Sequence, residues 1–426
     1  MSALEAAPAQ APRAGLLKQV ADATTVLSVI LTFALSAFTL QYMGIAYLVE
    51  GGSQFQKVHP ATWLAMLAVG LNGLRAGNPV TYFAIMGGRF SGTAIFLVVL
   101  VFVVAYNTLV QKSPVSLYLD TFVAPALLLW LMCDLSVTSK SGLRLFIHVF
   151  MFANACLGVY ELRTGFRLTP YVVVGTQIET IVTDWRSSAL LGHPLANSTT
   201  SAIYMLALLL SRNVNNLARF GLVAVQLVAM NSFGGRAATL IVLVAFALLI
   251  AWRLLDIARG ARFAIGSAAM TVLAVPVTVA TVLISLDAGF FDQFIDRISN
   301  DGNSAKARLL MFTLFENMSL DTFLFGSNAE TVMTRQFLEG FEYGIESFWI
   351  ASVIAQGLLM SLFLWAGMFL FFADLVKATS RRTLGVLALA ILIASTSLSL
   401  AGKGSMLPLV VCFAILFLED ARGRKA

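Results

Sequence analysis

Apolar runs separated by short polar segments dominate the pattern of this chain. About twelve of them approach the length of roughly 20 residues that a helix needs to cross a hydrocarbon core of about 30 Å. Because lipid offers no hydrogen-bond partners, backbone groups inside it must pair within their own segment, so such runs predict helices. The predicted spans cover approximately 24–48, 60–86, 91–111, 115–135, 144–160, 190–210, 216–233, 237–252, 263–286, 347–372, 384–400 and 405–419.

The second run differs from the others because polar, glycine and proline residues interrupt it. They are Asn72, Gly73, Arg75, Gly77, Asn78 and Pro79. Proline ends or kinks a helix, and charged groups are costly in lipid. We therefore predict that this span is broken or re-entrant.

The distribution of basic residues predicts the orientation of the spans. With the N-terminus inside, most basic residues fall in the inner loops and the C-terminal tail: Arg89, Lys140, Arg144, Arg212, Arg219, Arg253, Arg259, Arg262, Lys377, Arg381, Arg382, Arg422, Arg424 and Lys425. The short outer loops hold only Lys57, Lys112, Arg236 and Lys403. Cytoplasmic loops of membrane proteins carry the excess of lysine and arginine, so we predict that both ends of the chain are cytoplasmic.

These patterns predict an all-α fold, a polytopic transmembrane helical bundle of about 12 spans. A large periplasmic loop separates spans 9 and 10. The predicted parts are a cytoplasmic tail at 1–23, spans 1–9 over 24–286 with an outer loop at 161–189, the periplasmic loop at 287–346, spans 10–12 over 347–419 and a cytoplasmic tail at 420–426. Within the large loop, the apolar spacing of residues 305–318 predicts a helix lying on or dipping into the outer leaflet.

Composition excludes a soluble domain. The chain is 59% hydrophobic and 12% charged, whereas soluble domains carry about 25% charged residues. The net charge of +6 reflects short basic runs beside apolar segments, which indicates membrane anchoring and no nucleic-acid partner. Cys133, Cys156 and Cys412 all lie inside apolar runs without metal-ligand spacing, so no metal and no cofactor are predicted.

Candidate chemistry begins where the first outer loop meets the following span. Arg186 and His193 lie at this boundary, and Asn197 and Ser198 lie one turn into the helix. An arginine at such a boundary also serves as an interfacial anchor, and polar side chains inside a span also join helices to each other.

A tight outer turn holds the next candidate. Two glycines precede Arg236 in the segment 231–239, and glycine permits sharp turns and close approach of a ligand. A guanidinium beside the free amides of a helix N-terminus forms an anion site. A turn arginine that simply reaches the headgroups is the alternative.

The large outer loop supplies the remaining candidates. Lys306 and Arg308 are basic residues in an otherwise acidic loop, and Glu346 lies at the start of the tenth predicted span. A carboxylate at a helix N-terminus interacts favourably with the helix dipole. Partly buried, it also accepts protons in general base catalysis.

In their order along the chain, these segments resemble the O-antigen polymerase (Wzy-type) and O-antigen ligase superfamily of bacterial polysaccharide assembly. A Gly-Asn-Pro-like segment opens a mid-chain helix in that family, and Gly192–Pro194 with Asn197 is similar to it. Segment 232–237 resembles the Ser-Arg-Gly-like outer turn that follows.

The resemblance continues through the large loop and covers roughly residues 160–365. Arg308 and Gly326 resemble the arginine-led helix and glycine-rich stretch of the family's periplasmic loop, and 346–359 resembles its late helix entry with a Gly-Leu-Leu turn. Ligases of the family usually carry a histidine at that entry. Here Glu346 stands without one, which favours a polymerase or a more distant exopolysaccharide member.

The resemblance implies a metal-independent membrane glycosyltransferase in the bacterial inner membrane, with its active site facing the periplasm. Its donor would be a glycan on undecaprenyl pyrophosphate, and its acceptor a lipid-linked repeat unit. Arginine grips phosphate oxygens in a fork, so Arg236, Arg308 and Arg186 are expected to bind the pyrophosphate. Glu346, with His193 as second choice, is expected to be the base.

The same resemblance assigns Asn197 and Lys306 to substrate binding. It implies membrane lipid, a chain-length regulator and a flippase of the same pathway as partners. Two other functions stay open. An O-antigen-type ligase would use the same donor with another acceptor, and a polysaccharide or lipid transporter would need polar residues along a central path.

Overall fold

The fold of the described residues is a bundle of helices. The computed structural model describes residues 12–48, 53, 55–169, 172–173, 176–177, 185–260, 310–316, 318–338, 345–397, 400 and 402–420. The helices are α1 (Pro12–Ala34), α2 (Ala37–Tyr42), α3 (Pro60–Arg75), α4 (Pro79–Arg89), α5 (Ser91–Leu109), α6 (Ser116–Cys133), α7 (Val137–Thr164), α8 (Pro194–Leu210), α9 (Asn216–Phe233), α10 (Arg236–Ala258), α11 (Leu320–Phe325), α12 (Ala329–Leu338), α13 (Phe348–Ala378), α14 (Thr383–Ala394) and α15 (Met406–Leu418).

Five of these helices are long and apolar enough to cross a membrane: the Gly15–Ala34 part of α1, and α5, α6, α7 and α13. Shorter apolar helices follow the same pattern in α8, in the Arg236–Trp252 part of α10, and in α14 and α15. Large apolar side chains such as Phe102, Leu109 and Leu248 point outward and are 66–79% exposed. Apolar surface of this kind suits lipid as the surrounding solvent, and the predicted helical membrane fold agrees with it.

The predicted interruption of the second span is confirmed. Helix α3 ends at Arg75 and α4 begins at Pro79. Asn78 caps α4 because its side chain accepts a 2.7 Å hydrogen bond from the Thr81 amide. Gly77 adopts a positive φ of 95°, which glycine tolerates at a helix end.

The first span differs from the prediction of 24–48. Helix α1 already begins at Pro12, inside the predicted tail, and it ends at Ala34. Ser36 starts a separate helix, α2, by accepting a 3.0 Å hydrogen bond from the Thr39 amide. A capping serine therefore divides an apolar run that reads as continuous.

The two segments predicted as outer loops, 161–189 and 287–346, also contain regular secondary structure. In the first one, α7 continues to Thr164 and two short strands, β1 (Val172–Val173) and β2 (Thr176–Gln177), pair antiparallel. In the second, Met311–Phe315 form a 3₁₀ helix. The rest of the predicted helix at 305–318 lies mostly outside the described residues, as does the ninth predicted span at 263–286.

Ion pairs join the helix ends on one side of the bundle, which we call the basic end. The Lys140 ammonium contacts the Glu419 carboxylate at 2.9 Å, and Arg89 contacts Asp134 at 2.7 Å. Arg382 binds Asp420 and donates a 2.7 Å hydrogen bond to the Leu210 carbonyl. At the basic end these contacts join α4 to α6, α7 to α15, and α14 to both α8 and α15. The other side of the bundle is called the opposite end.

Helices α5 and α13 pack closely because glycine removes side chains at their crossing. At Gly92 a Cβ atom would overlap the Leu370 carbonyl. The buried Asp374 carboxylate there accepts hydrogen bonds from the Thr93 amide at 2.6 Å and from the Thr93 hydroxyl at 3.1 Å. A buried carboxylate is stable only when donors surround it, so this contact fixes where α5 begins against α13.

Replacing Gly92 with alanine is expected to destabilise the bundle. The added methyl group forces the two backbones apart and costs about 1–3 kcal/mol by overpacking. Thermal unfolding of purified protein in detergent measures the effect. Gly88→Ala is the matched control, because a Cβ atom at Gly88 would meet open space. Equal melting temperatures for the two variants would contradict the proposed close packing.

Candidate functional site

A buried carboxylate organises the end of the first outer segment. Glu161, in the last turn of α7, is 0% exposed. Its Oε2 atom accepts hydrogen bonds from the Ser187 hydroxyl at 2.6 Å, the Ser188 amide at 3.0 Å and the Ala189 amide at 2.9 Å. Its Oε1 atom accepts a 3.0 Å bond from the Leu168 amide. Glu161 therefore fastens both the start and the end of this segment to α7.

Further hydrogen bonds join the segment 187–190 to three helices, α7, α8 and α9. Asn154 of α7 accepts a 2.9 Å hydrogen bond from the Leu190 amide. Asn197 of α8 donates to the Ser188 carbonyl at 2.6 Å. On α9, the Ser232 carbonyl accepts a 2.9 Å bond from the Ser187 amide. The chain just after Arg186 is thus fixed by α7, α8 and α9 together.

Arg186 and His193 lie at the two ends of this fixed segment. Arg167 donates a 2.9 Å hydrogen bond to the Arg186 carbonyl and stacks its guanidinium 4.9 Å from the Trp185 ring centre. His193 stacks on Phe38 with ring centres 5.3 Å apart. Burial, reinforced by the positive charge of Arg186, lowers the pKa of His193 to about 4.

His193 is the N-cap of α8. Its Nδ1 atom accepts a 3.2 Å hydrogen bond from the Leu195 amide. The ring is therefore neutral, with its proton on Nε2. As a neutral, capping imidazole, His193 acts as a structural group at the start of α8.

The glycine turn brings Arg236 to the same place. Gly234 has a φ of 65°, and Arg236 is the first residue of α10, as the sequence predicts. A Cβ atom at Gly235 would overlap the Ser198 side chain of α8. Only glycine allows this approach, which sets the N-terminus of α10 directly against the first turns of α8. The backbone positions of Arg186, His193, Asn197 and Arg236 therefore meet at the opposite end, and we call this group of residues the arginine cluster.

Asn197 and Ser232 each contribute a buried polar atom to this cluster. Within the described part of the chain, Asn197 Oδ1 and Ser232 Oγ have no hydrogen-bond partner. The Asn197 amide nitrogen also donates to the His193 carbonyl at 3.0 Å, so this residue joins helix to loop as well. Buried polar atoms without partners are uncommon and accumulate at functional sites.

The other predicted site residues have separate surroundings. Lys306 and Arg308 lie outside the described residues. Glu346 immediately precedes Ser347, and Ser347 is the N-cap of α13. The neighbouring Ile345 packs with Met311, Leu314 and Ile354. The chain just before Glu346 is thus packed against the 3₁₀ helix Met311–Phe315.

Two glycines of the predicted motifs do meet. Gly326 and Gly357 both have positive φ angles, 81° and 80°, and a Cβ atom on Gly326 would lie 2.6 Å from the Gly357 amide nitrogen. The Phe325 carbonyl accepts hydrogen bonds from the Tyr106 hydroxyl and, at 2.6 Å, from the Gln111 amide. The end of α11 is therefore fixed on the kink of α13 and the end of α5.

A second polar cluster at the opposite end has Asp120 at its centre. This carboxylate is 4% exposed and lies in the π-helical turn Leu119–Val123 of α6. It accepts hydrogen bonds from the Tyr47 hydroxyl at 2.8 Å, the Thr62 hydroxyl at 2.7 Å and the His59 amide at 3.0 Å. The Lys403 ammonium lies 3.8 Å away.

Sequence reasoning missed Glu161 and the Asp120–Lys403 pair as organising groups. The sequence does contain a signal for Glu161 and for Asp120, because an acidic residue inside or beside a predicted span is rare and needs hydrogen-bond or ion-pair partners. The partners come from distant parts of the chain, so spacing along the sequence does not reveal them.

No protein-family model and no curated protein matches the chain.

Loss of the Glu161 carboxylate is expected to loosen the segment 187–190. In Glu161→Gln, an amide group replaces one acceptor and faces backbone donors, which costs about 1–3 kcal/mol. The melting temperature should fall, and trypsin should cut at Arg167 or Arg186 at least tenfold faster. Glu330→Gln, at an exposed position on α12, is the control. Unchanged cleavage in Glu161→Gln would show that this carboxylate does not hold the segment.

His193 is expected to make stability depend on acid pH. Its pKa is lowered in the folded chain, so the unfolded chain binds more protons between pH 6.5 and about 4. Stability therefore falls as the pH drops through this window. His193→Asn keeps a capping acceptor but removes the titrating ring. Its melting temperature should fall less than that of the wild type between pH 7 and pH 4.5, and parallel curves would refute the assignment.

Proposed function

We propose that this chain is a membrane glycosyltransferase of the O-antigen polymerase type. It transfers a glycan from undecaprenyl pyrophosphate to a lipid-linked repeat unit, and builds an O-antigen or exopolysaccharide. The observation that carries the proposal is the clustering of Arg186 and Arg236 around the start of α8, on segments that Glu161 and the Gly234–Gly235 turn fix in place. The ordered motifs between residues 160 and 365 support the same reaction class.

The chemistry explains why guanidinium groups gather there. Transfer of the glycan breaks its bond to the pyrophosphate, and negative charge develops on the departing oxygen. Preorganised cations aimed at that oxygen lower the barrier. Arg236 also stands at the N-terminus of α10, where free backbone amides add to the positive field. In this mechanism Arg236, Arg308 and Arg186 bind the pyrophosphate, and Lys306 and Asn197 bind the glycan.

A base must accept the proton of the attacking sugar hydroxyl. Glu346 is our first choice, because it is a carboxylate beside the N-cap of α13, and the neighbouring Ile345 packs on the 3₁₀ helix Met311–Phe315. His193 is the weaker choice. Its Nδ1 atom already accepts a backbone hydrogen bond, and its Nε2 atom carries the proton.

The proposal also specifies how the chain is oriented in the membrane. Twelve spans cross the bacterial inner membrane, with the basic end in the cytoplasm and the opposite end in the periplasm. The positive-inside rule supports this orientation, since Lys140, Arg89 and Arg382 all lie at the basic end. The loop at 287–346 is then periplasmic. A chain-length regulator and a flippase of the same pathway are the expected partners.

A transporter is the second candidate, and the Asp120–Lys403 cluster favours it. Ionisable groups inside a membrane bundle often mark a transport path. The pair lies at the opposite end, however, with all its described partners there. Substrate flux in proteoliposomes without polymer formation would support a transporter over a polymerase.

Removing the proposed catalytic groups is expected to abolish long polymer. Arg236→Ala, Arg308→Ala and Glu346→Gln should each lower high-molecular-weight polysaccharide at least 10²-fold, by analogy with the loss of one charge-stabilising donor. Gel analysis of the polysaccharide, with immunoblotting of membranes, measures polymer and protein. Arg259→Ala is the control, because Arg259 is exposed and lies just after the C-terminal end of α10. Normal polymer length in the three variants would remove this site assignment.

The lipid-linked saccharides of a deletion strain separate polymerase from ligase. A polymerase deletion should accumulate single repeat units on the lipid, because no chain is built. A ligase deletion should instead leave long polymer on the lipid. Mass spectrometry of extracted lipid-linked saccharides distinguishes the two results, and the second would replace the polymerase assignment with a ligase.

A further inference from the structure

The Lys403 ammonium occupies a site built like a small cation-binding site. The carbonyl oxygens of Tyr47, at 3.0 Å, and Lys57 accept hydrogen bonds from it. The Tyr47 ring lies beneath it, 3.4 Å from nitrogen to ring centre, and the Asp120 carboxylate lies 3.8 Å away. Two carbonyls, an aromatic face and an anion are the groups that bind organic ammonium ions.

The backbone around Asp120 is shaped for this contact. The π-helical turn Leu119–Val123 widens α6 by one residue, and such turns occur often at functional sites. The next residue, Thr121, accepts a 3.2 Å hydrogen bond from the Gly404 amide. Two successive side chains of the turn therefore bind the same short segment, 403–404.

The segments that meet here are far apart in the sequence. Lys403 belongs to the turn before α15, and Tyr47 and Lys57 belong to the connection between α2 and α3. A small cavity of about 20 Å³ adjoins this contact and is lined by Ser28 and Thr32 together with Tyr47, Asp120 and Gly404. That volume accommodates about one water molecule. The residues that bind Lys403 therefore also form part of the cavity wall.

We propose that Asp120 and Lys403 form a latch, in which a binding site for a primary ammonium ion is filled by the chain's own lysine and closes the opposite end over the cavity. Release of the ammonium frees the turn 402–405 from Tyr47 and Lys57 and opens the cavity. The latch does not depend on the proposed glycosyl transfer.

The charges around the ammonium determine when the latch opens. Asp120, Tyr47, Lys57 and His59 face it. Burial, with a contribution from Lys57, lowers the pKa of Lys403 to about 8 although Asp120 opposes the shift. Burial raises the pKa of Tyr47 and lowers that of His59, so both stay neutral near pH 8. The latch is therefore closed at neutral pH and weakens as Lys403 loses its proton above about pH 8.

Accessibility of the cavity tests the latch. Ser28→Cys places a thiol in the cavity wall, in a background where Cys133, Cys156 and Cys412 are replaced by serine. The rate of reaction with a small methanethiosulfonate is measured on protein purified in detergent. We expect reaction at least tenfold faster when Lys403→Met or Asp120→Asn is added. Lys403→Arg should stay within about twofold of the parent.

Chemical rescue separates the loss of charge from the loss of packing. In Lys403→Ala, propylammonium should slow the reaction back towards the parent rate, and 1-propanol, its neutral isostere, should not. Arg89→Gln, which breaks an ion pair at the basic end, should leave the rate unchanged. Rates unchanged by Lys403→Met and Asp120→Asn, or accelerated equally by Arg89→Gln, would overturn the proposal.

The pH dependence of the intact latch gives a result even if a variant fails to fold. The parent rate divided by the rate of Lys403→Arg at the same pH cancels the ionisation of the thiol introduced by Ser28→Cys, because both proteins carry that thiol and the guanidinium keeps its charge. This ratio should rise between pH 7 and pH 9. A flat ratio over that range would show that the Lys403 ammonium does not close the cavity.

Discussion

The architecture of this bundle depends on how its buried carboxylates are satisfied. Glu161, Asp120 and Asp374 are each at most 4% exposed, and each accepts hydrogen bonds from a segment distant in sequence. A carboxylate without donors would be very costly in an apolar interior. Each one therefore fixes the position of the chain around it: Glu161 the end of the first outer segment, Asp120 the connection before α3, and Asp374 the start of α5.

The two polar clusters at the opposite end are physically continuous. His59 donates a 2.7 Å hydrogen bond from Nε2 to the Leu35 carbonyl. The next residue, Ser36, lies so close to Gly192 that a Cβ atom there would overlap it, and Phe38 stacks on His193. The chain from the end of α1 into α2 thus lies between the Asp120 cluster and the arginine cluster and contacts both of them. A displacement of one cluster would therefore displace the other, because the packed backbone between them is hardly compressible.

Charge is used differently at the two ends. At the basic end, Lys140, Arg89 and Arg382 form ion pairs with acidic residues, and these pairs join helices. At the opposite end, Arg186 and Arg236 stand on rigid backbone beside buried polar atoms of Asn197 and Ser232. A lipid-linked pyrophosphate is the kind of ligand such guanidinium groups bind well. The proposed reaction therefore places group transfer at the opposite end, beside the Asp120–Lys403 pair.

The sequence by itself determined the helical membrane class, the broken second span and the placement of Arg236 at a helix start. These follow from local rules: run length, helix breakers and the glycine turn act over a few residues. Only the tertiary structure decided that Glu161 holds segment 187–190 and that Lys403 reaches Asp120. The adjoining pair, Thr121 and Gly404, is 283 residues apart in the sequence. The division of the first run at Ser36 also escaped prediction, because its cap is a single hydrogen bond. The side-chain partners of buried polar groups depend on which helices pack together. Hydrophobic periodicity predicts which face of a helix is buried, but it does not predict which helix packs against that face.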